Sequence, residues 1–283
     1  MKPGESPVFL FFLQPFGMTE PFPIRTPRSR VERIGLITDF GAGVYVGQII
    51  ARLSALIPGM SVIDLVHDLP PFRPDLAAYL LPALVRDLPP ATLYLCVVDP
   101  GVGGDRQGLV LEADGDLFIG PDNGLLSLVA RRTDHARPQR IDWRPDRVSN
   151  SFQGRDWFAP VAAALCRGEK LALTELDTDA LIGADWADEL SAVVYVDGYG
   201  NLMSGLSAVD QMPELALLAA GRMIRYARTF CEVRPGEAFW YENALGLLEI
   251  AVNQGRADRV LGLGPGDPLI VSPTGNPAPK SHL

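Results

Sequence analysis

The chain has 283 residues, 47% of them hydrophobic and 21% charged, which fits one large globular domain or two modest ones and excludes disorder, collagen and coiled coil for most of its length. A formal net charge of −9 without any basic run disfavours a nucleic-acid partner. No apolar stretch approaches the ~20 residues of a bilayer span, so no membrane role is expected. Val8 to Leu13 is closed by Gln14 and Pro15, too short for a secretory signal. Cys96, Cys166 and Cys231 are too scattered for a disulfide framework or a zinc site, which points to a reducing cytoplasm.

Residues 1–32, rich in proline and without a usable period, read as a disordered N-terminal extension. From residue 33 the texture changes. Ile34 to Thr38 predicts a strand and Tyr45 to Ile57 a helix. Ser61 to Val66 predicts a second strand, and a second helix opens at Pro74-Asp75, with proline first and an acid near the positive end of the dipole. Pro82 is expected to kink it. Thr92 to Val98 is apolar throughout, as suits a strand buried on both faces. Leu109 to Glu112 and Leu117 to Ile119 read as strands, Leu125 to Arg131 and Phe158 to Arg167 as helices. This alternation predicts an N-terminal three-layer α/β domain with a mainly parallel sheet over 33–172. The acidic segment 173–190 reads as a linker. Short runs between glycine and proline turns then predict a smaller C-terminal β-barrel over 191–272, before a fraying tail at 273–283.

The strand ends suggest chemistry: Asp39, Asp68, Asp99 and Asp122 each stand just past an apolar run. Ligands of open parallel sheets bind outside the carboxyl ends of the strands, so four acids are expected at one crevice. Carboxylates there suit a ribose diol, an ammonium group or Mg²⁺; each is equally at home as a turn or cap residue. There is no Walker loop, no nucleophile elbow and no histidine cluster.

Seven motifs occur in order: Thr38-Asp39-Phe40-Gly41, Tyr45-Val46-Gly47-Gln48, Val98-Asp99-Pro100-Gly101-Val102-Gly103, Pro121-Asp122-Asn123-Gly124-Leu125, Ser151-Phe152-Gln153-Gly154-Arg155-Asp156, Asp197-Gly198-Tyr199-Gly200-Asn201 and Leu248-Glu249-Ile250-Ala251-Val252-Asn253. Over about residues 33–271 the set resembles the S-adenosylmethionine (SAM) hydroxide adenosyltransferase family, to which SAM-dependent chlorinases and fluorinases also belong. The resemblance implies an α/β domain followed by a β-barrel, and a homotrimer with active sites between subunits. It implies in-line displacement of methionine from the ribose C5′ of SAM, the substrate, with no cofactor and no metal. By the same resemblance Asp68 is the catalytic acid–base residue, and Asp39 takes the ribose hydroxyls beside Phe152. Asp197 meets the amino-acid end, Tyr199 and Asn201 face adenine, and Glu249, Val252 and Asn253 close around the base.

Two positions depart from the hydrolase pattern of an aspartate, an arginine and a histidine. Asp75 stands where the family has arginine, with Arg73 two residues earlier, and Gln153 stands where it has histidine. Glutamine positions but does not exchange protons near neutral pH. Hydrolysis of SAM to adenosine and methionine is therefore the first expectation. SAM or adenosine binding with weak catalysis, halide-dependent cleavage of the chlorinase type, and a Mg²⁺-dependent hydrolase stay as alternatives.

Overall fold

A computed structural model describes residues 31–208 and 215–273. The expected disordered extension and tail fall outside these residues except at their inner ends.

The N-terminal half is a seven-stranded sheet built from β1 (Arg33–Thr38), β2 (Ser61–Val66), β3 (Thr92–Val97), β4 (Gly108–Ala113), β5 (Asp116–Pro121), β6 (Arg137–Ile141) and β7 (Leu173–Glu175). Their order is β2-β1-β3-β5-β4-β6-β7. β2, β1, β3 and β5 run parallel, whereas β4, β6 and β7 join antiparallel. Side chains alternate across the central strands β1, β3, β4 and β5 and bury both faces. Ile34, Leu36, Leu93 and Leu95 pack under α1 (Val44–Leu56) and α4 (Ala159–Cys166). Ile37, Tyr94 and Cys96 pack on the other face with α2 (Pro74–Val85) and α3 (Ser127–Arg131). In α1 the buried residues Val46, Ile49 and Leu53 recur at the helical period, which is why this stretch folds as a half-buried helix. α2 starts with Pro74 at its first turn, as anticipated, and runs on through Pro82 without breaking.

The segment expected to be a pure linker begins with β7, which hydrogen-bonds to β6 as the edge strand of the first sheet. After it come β8 (Leu190–Val196), β9 (Leu202–Ser207), β10 (Leu215–Ala219), β11 (Arg222–Tyr226), β12 (Ala238–Glu242), β13 (Leu247–Val252), the short α5 (Ala257–Leu261) and β14 (Ile270–Pro273). They form a second seven-stranded sheet, β14-β10-β11-β12-β13-β9-β8. The chain entering β14 bonds back to β8, with Val193 N–H on Asp267 O at 2.9 Å and Leu269 N–H on Ser191 O at 2.8 Å. These bonds curl the sheet nearly into a barrel.

The halves share one core: Val194 of β8 and Leu247 of β13 belong to the same apolar cluster as Leu76, Leu80, Phe118 and Leu128. Tyr79 Oη reinforces the contact by donating to Ala187 O at 3.0 Å. No helix among the described residues is long and apolar enough to cross a membrane.

Gly120 shows how tightly the first sheet is packed. A Cβ there would stand 2.4 Å from Cys96 O, a backbone atom of the neighbouring strand that cannot swing aside. Gly120→Ala should cost about 1–3 kcal/mol or more through overpacking. Gly47→Ala, in α1 with nothing within 4 Å of the new methyl, should instead add about 0.5–1 kcal/mol through helix propensity. Urea unfolding of the two variants checks both signs.

Candidate functional site

β1 and β2 end side by side, held by Gly41 N–H on His67 O at 2.6 Å, so Asp39 and Asp68 emerge at the same edge of the sheet. Asp39 is half-buried, and its Oδ2 accepts the Phe72 N–H at 3.0 Å. Phe72 points that N–H from a left-handed backbone (φ 64°), a costly conformation for a phenylalanine, between Pro70-Pro71 and Pro74. Burial pushes the Asp39 carboxyl above the usual carboxylate range; the N–H groups of Phe72 and of Asp39 itself oppose this, and the Asp99 charge adds to it.

Beside Asp39 stands an aromatic wall. Phe40, Tyr45 and Phe152 meet edge to face, with centroids 5.1 to 6.0 Å apart. The Arg155 guanidinium lies 4.9 Å over Phe152 and is also bound to Asp156 and Gln48. A single π-helical turn, Gly154–Phe158, follows Phe152 and Gln153. Gly154 lets the wall close: a Cβ there would already touch Ile49, Phe40 and Val97 at 3.4 to 3.7 Å. Gln153 is 3% exposed, and its Oε1 has no hydrogen-bond partner.

Asp68 follows His67, whose Nδ1 shares a 2.9 Å hydrogen bond with Thr38 Oγ1. One carboxylate oxygen of Asp68, Oδ1, accepts the phenol of Tyr195 from β8 at 2.8 Å. Asp75 is clamped by Arg73 Nε and Nη2, at 2.8 and 2.7 Å, which holds its carboxyl below the usual range. The same guanidinium lies against Gly266 of the barrel.

The other two strand-end acids do different work, which narrows the expectation of four acids in one crevice. Asp99 is sealed against Arg106, with side chains only 4% and 9% exposed, and Arg106 also lies over Trp157 and Phe158. Asp122 is buried and accepts the Ile182 N–H at 3.2 Å, so it ties the linker down. Among the described residues no three His, Cys, Asp or Glu side chains stand close enough to share a metal ion.

In the barrel, the Asp197 carboxylate closes its own turn. It accepts the Tyr199 N–H and Asn201 N–H at 2.8 Å each and Asn201 Nδ2 at 3.0 Å. This leaves Tyr199 80% exposed above the turn while Asn201 is buried below it. Glu249, 2% exposed, accepts the Tyr241 phenol and Asn243 Nδ2. Burial raises its pKa, and these donors together with Asn201 restrain the rise. Val252 is a core residue of the barrel, and Asn253 Nδ2 donates to Val233 O at 2.6 Å. Glu249, Val252 and Asn253 are thus engaged inside the barrel in the single chain. Asp68, Tyr195 and Asp197 lie along one seam, since both carboxylates act on the Tyr195 phenol. Sequence reasoning does not single out Tyr195, although its place two residues before Asp197 on a strand puts the two on the same face. A cleft of about 1330 Å³ at the opposite end of the first sheet, lined by Arg86, Glu112, Asp116, His135 and Glu189, contains none of the expected site residues.

The chain thus joins an α/β domain, whose strand ends carry two accessible acids and an aromatic wall, to a near-barrel; ligands of such sheets bind outside the carboxyl ends of the strands. Residues 34–175 match the SAM hydroxide adenosyltransferase N-terminal domain and residues 191–270 the C-terminal domain, so the chain belongs to the SAM hydroxide adenosyltransferase family. A relative from Salinispora arenicola named (R)-S-adenosyl-L-methionine hydrolase is 36% identical over 255 residues, covering 84% of this chain and 97% of the relative. One from Thermus thermophilus with the same name is 36% identical over 254 residues, covering 82% and 96%. The crystal structure of an uncharacterized conserved protein from Thermotoga maritima superposes with a TM-score of 0.75 at 30% identity, covering 84% of this chain and 99% of that one.

Replacing Glu249 by Gln puts an amide N–H₂ where an oxygen now accepts from Asn243 or Tyr241. The Glu249→Gln protein should be about 1–3 kcal/mol less stable at pH 7 in urea unfolding, the cost of an unsatisfied buried donor.

Proposed function

We propose that the protein hydrolyses SAM to adenosine and L-methionine. The observation that carries this reading is the match, over most of the chain, to relatives named (R)-S-adenosyl-L-methionine hydrolase. In the reaction a water oxygen bonds to the ribose C5′ as the C5′–S bond breaks, and the electron pair of that bond stays on sulfur. Methionine leaves as a neutral thioether and needs no acid; the one proton to be moved comes from the water. The protein has to place that water opposite the sulfonium and receive its proton.

Asp68 is the residue assigned to the water. The resemblance assigns the acid–base role to Asp68; Gln153 cannot take a proton, and Asp75 is engaged by Arg73. Arg73, two residues before Asp75, has its charge paired with that carboxylate. Asp39, a half-buried carboxylate against an aromatic wall, suits a ribose diol, with Phe152 lining the sugar. Asp197, Tyr199, Asn201, Glu249, Val252 and Asn253 are assigned to the side of the site that a second subunit supplies, in a homotrimer. Exposed Val44, Tyr45, Phe72 and Tyr199 support burial of this edge against another copy. A cytoplasmic location fits the unpaired cysteines.

Incubation with SAM, with and without chloride, followed by chromatography tests the reading. Adenosine and methionine in equal amounts are expected in both; 5′-chloro-5′-deoxyadenosine would assign halide cleavage, and no product would overturn catalysis. Asp68→Asn should lower kcat by ~10²–10⁴-fold, the usual worth of a general base, with KM little changed. Asp39→Asn should act mainly on KM. Because the Asp39 pKa is raised, its ionised form is lost as pH falls while ordinary carboxylates are still charged. SAM affinity should therefore weaken on that mildly acidic side, as seen in KM against pH, and Asp39→Asn should flatten the dependence.

A further inference from the structure

We propose that Tyr195 is a positioning residue for this reaction: its phenol fixes the Asp68 carboxylate through Oδ1 and so dedicates Oδ2 to the attacking water. The inference rests on the hydrolase reading and adds to it a residue from the barrel of the same chain.

Three observations carry it. The Tyr195 phenol donates to Asp68 Oδ1 at 2.8 Å, and Oδ2 takes no hydrogen bond among the described residues. A carboxylate held by one oxygen no longer turns freely about its Cβ–Cγ bond, so the other oxygen keeps one direction.

The second concerns where the phenol proton goes. Asp197 stands near Tyr195 as well, but its oxygens already receive two backbone N–H groups and the Asn201 amide. It does not compete for the phenol, whose single proton is committed to Asp68. Burial and the two neighbouring carboxylates push the Tyr195 pKa up, so the phenol remains a donor over the whole working range.

The third is that Tyr195 is itself held. It lies in β8 opposite Met203, next to fully buried Val194, and packs against the apolar cluster that contains α2. Asp68 stands in the loop between β2 and α2. The donor and the element that comes after its acceptor are thus anchored in one core, which fixes the hydrogen bond at both ends.

The test is a double-mutant cycle on the full chain, with Tyr195→Phe, which removes only the hydroxyl, Asp68→Asn and the pair. For SAM cleavage, Tyr195→Phe should lower kcat about tenfold and leave KM within about twofold, and it should have no further effect in the Asp68→Asn background. Wild-type kcat in Tyr195→Phe, a loss confined to KM, or an equal loss with and without Asp68 would each overturn the inference. Failure of the hydrolase reading is seen separately, as absence of adenosine with the wild-type protein. In that event the same four proteins are compared by melting temperature: non-additive losses keep Tyr195 as the holder of Asp68, and additive losses remove it.

Discussion

One apolar core runs from the first sheet through α2 into β8 and β13 of the barrel, and the placing of the seam residues depends on it. Leu76, Leu80, Phe118 and Leu128 on one side and Val194 and Leu247 on the other are all 5% exposed or less. Each such side chain withdrawn from water is worth about 1.5–3 kcal/mol, far more than the hydrogen bonds that decorate the seam. Burial therefore fixes how β8 lies along α2. The polar contacts then become specific: Tyr195 reaches Asp68, and Arg73 reaches Asp75 beside Gly266.

The acids of the chain divide by their partners. Asp99 has a guanidinium and almost no solvent, Asp122 a backbone N–H from the linker, and Asp197 three donors from its own turn. These carboxylates hold loops in place. Breaking a buried pair such as Asp99–Arg106 by removing one member leaves a lone charge, a loss commonly of about 3–5 kcal/mol. Asp39 and Asp68 each accept one donor from another part of the chain, the Phe72 N–H and the Tyr195 phenol. They keep acceptor capacity for a ligand.

Much of the first domain is legible in the sequence because its central strands are apolar runs, and Ile34 to Thr38 and Thr92 to Val98 stand out from any neighbour; the edge strand Ser61 to Val66, interrupted by Asp64, is legible too. The strands on the far side of β4 are not. β6 reads Arg-Pro-Gln-Arg-Ile, and its identity comes from pairing with β4, a long-range contact no local pattern carries. β10, Leu-Ala-Leu-Leu-Ala, has the composition of a helix and is made a strand by its turn into β11 at Ala220-Gly221, where both residues have positive φ. The motifs bring Asp39, Asp68 and Phe152 to one region, yet they leave Tyr195 unnoticed. A tyrosine in a strand is ordinary until the fold brings a carboxylate to its hydroxyl. Tyr241 and Asn243 are invisible for the same reason: only the barrel brings them to Glu249.

On the proposed hydrolysis the protein has one chemical task, to bring water to C5′ and take its proton. The most direct measurement is a SAM reaction run in heavy-oxygen water, with mass analysis of both products. Adenosine should carry the heavy oxygen at its 5′ position, and methionine should carry none. Unlabelled adenosine, label in methionine, or SAM recovered intact would contradict that assignment.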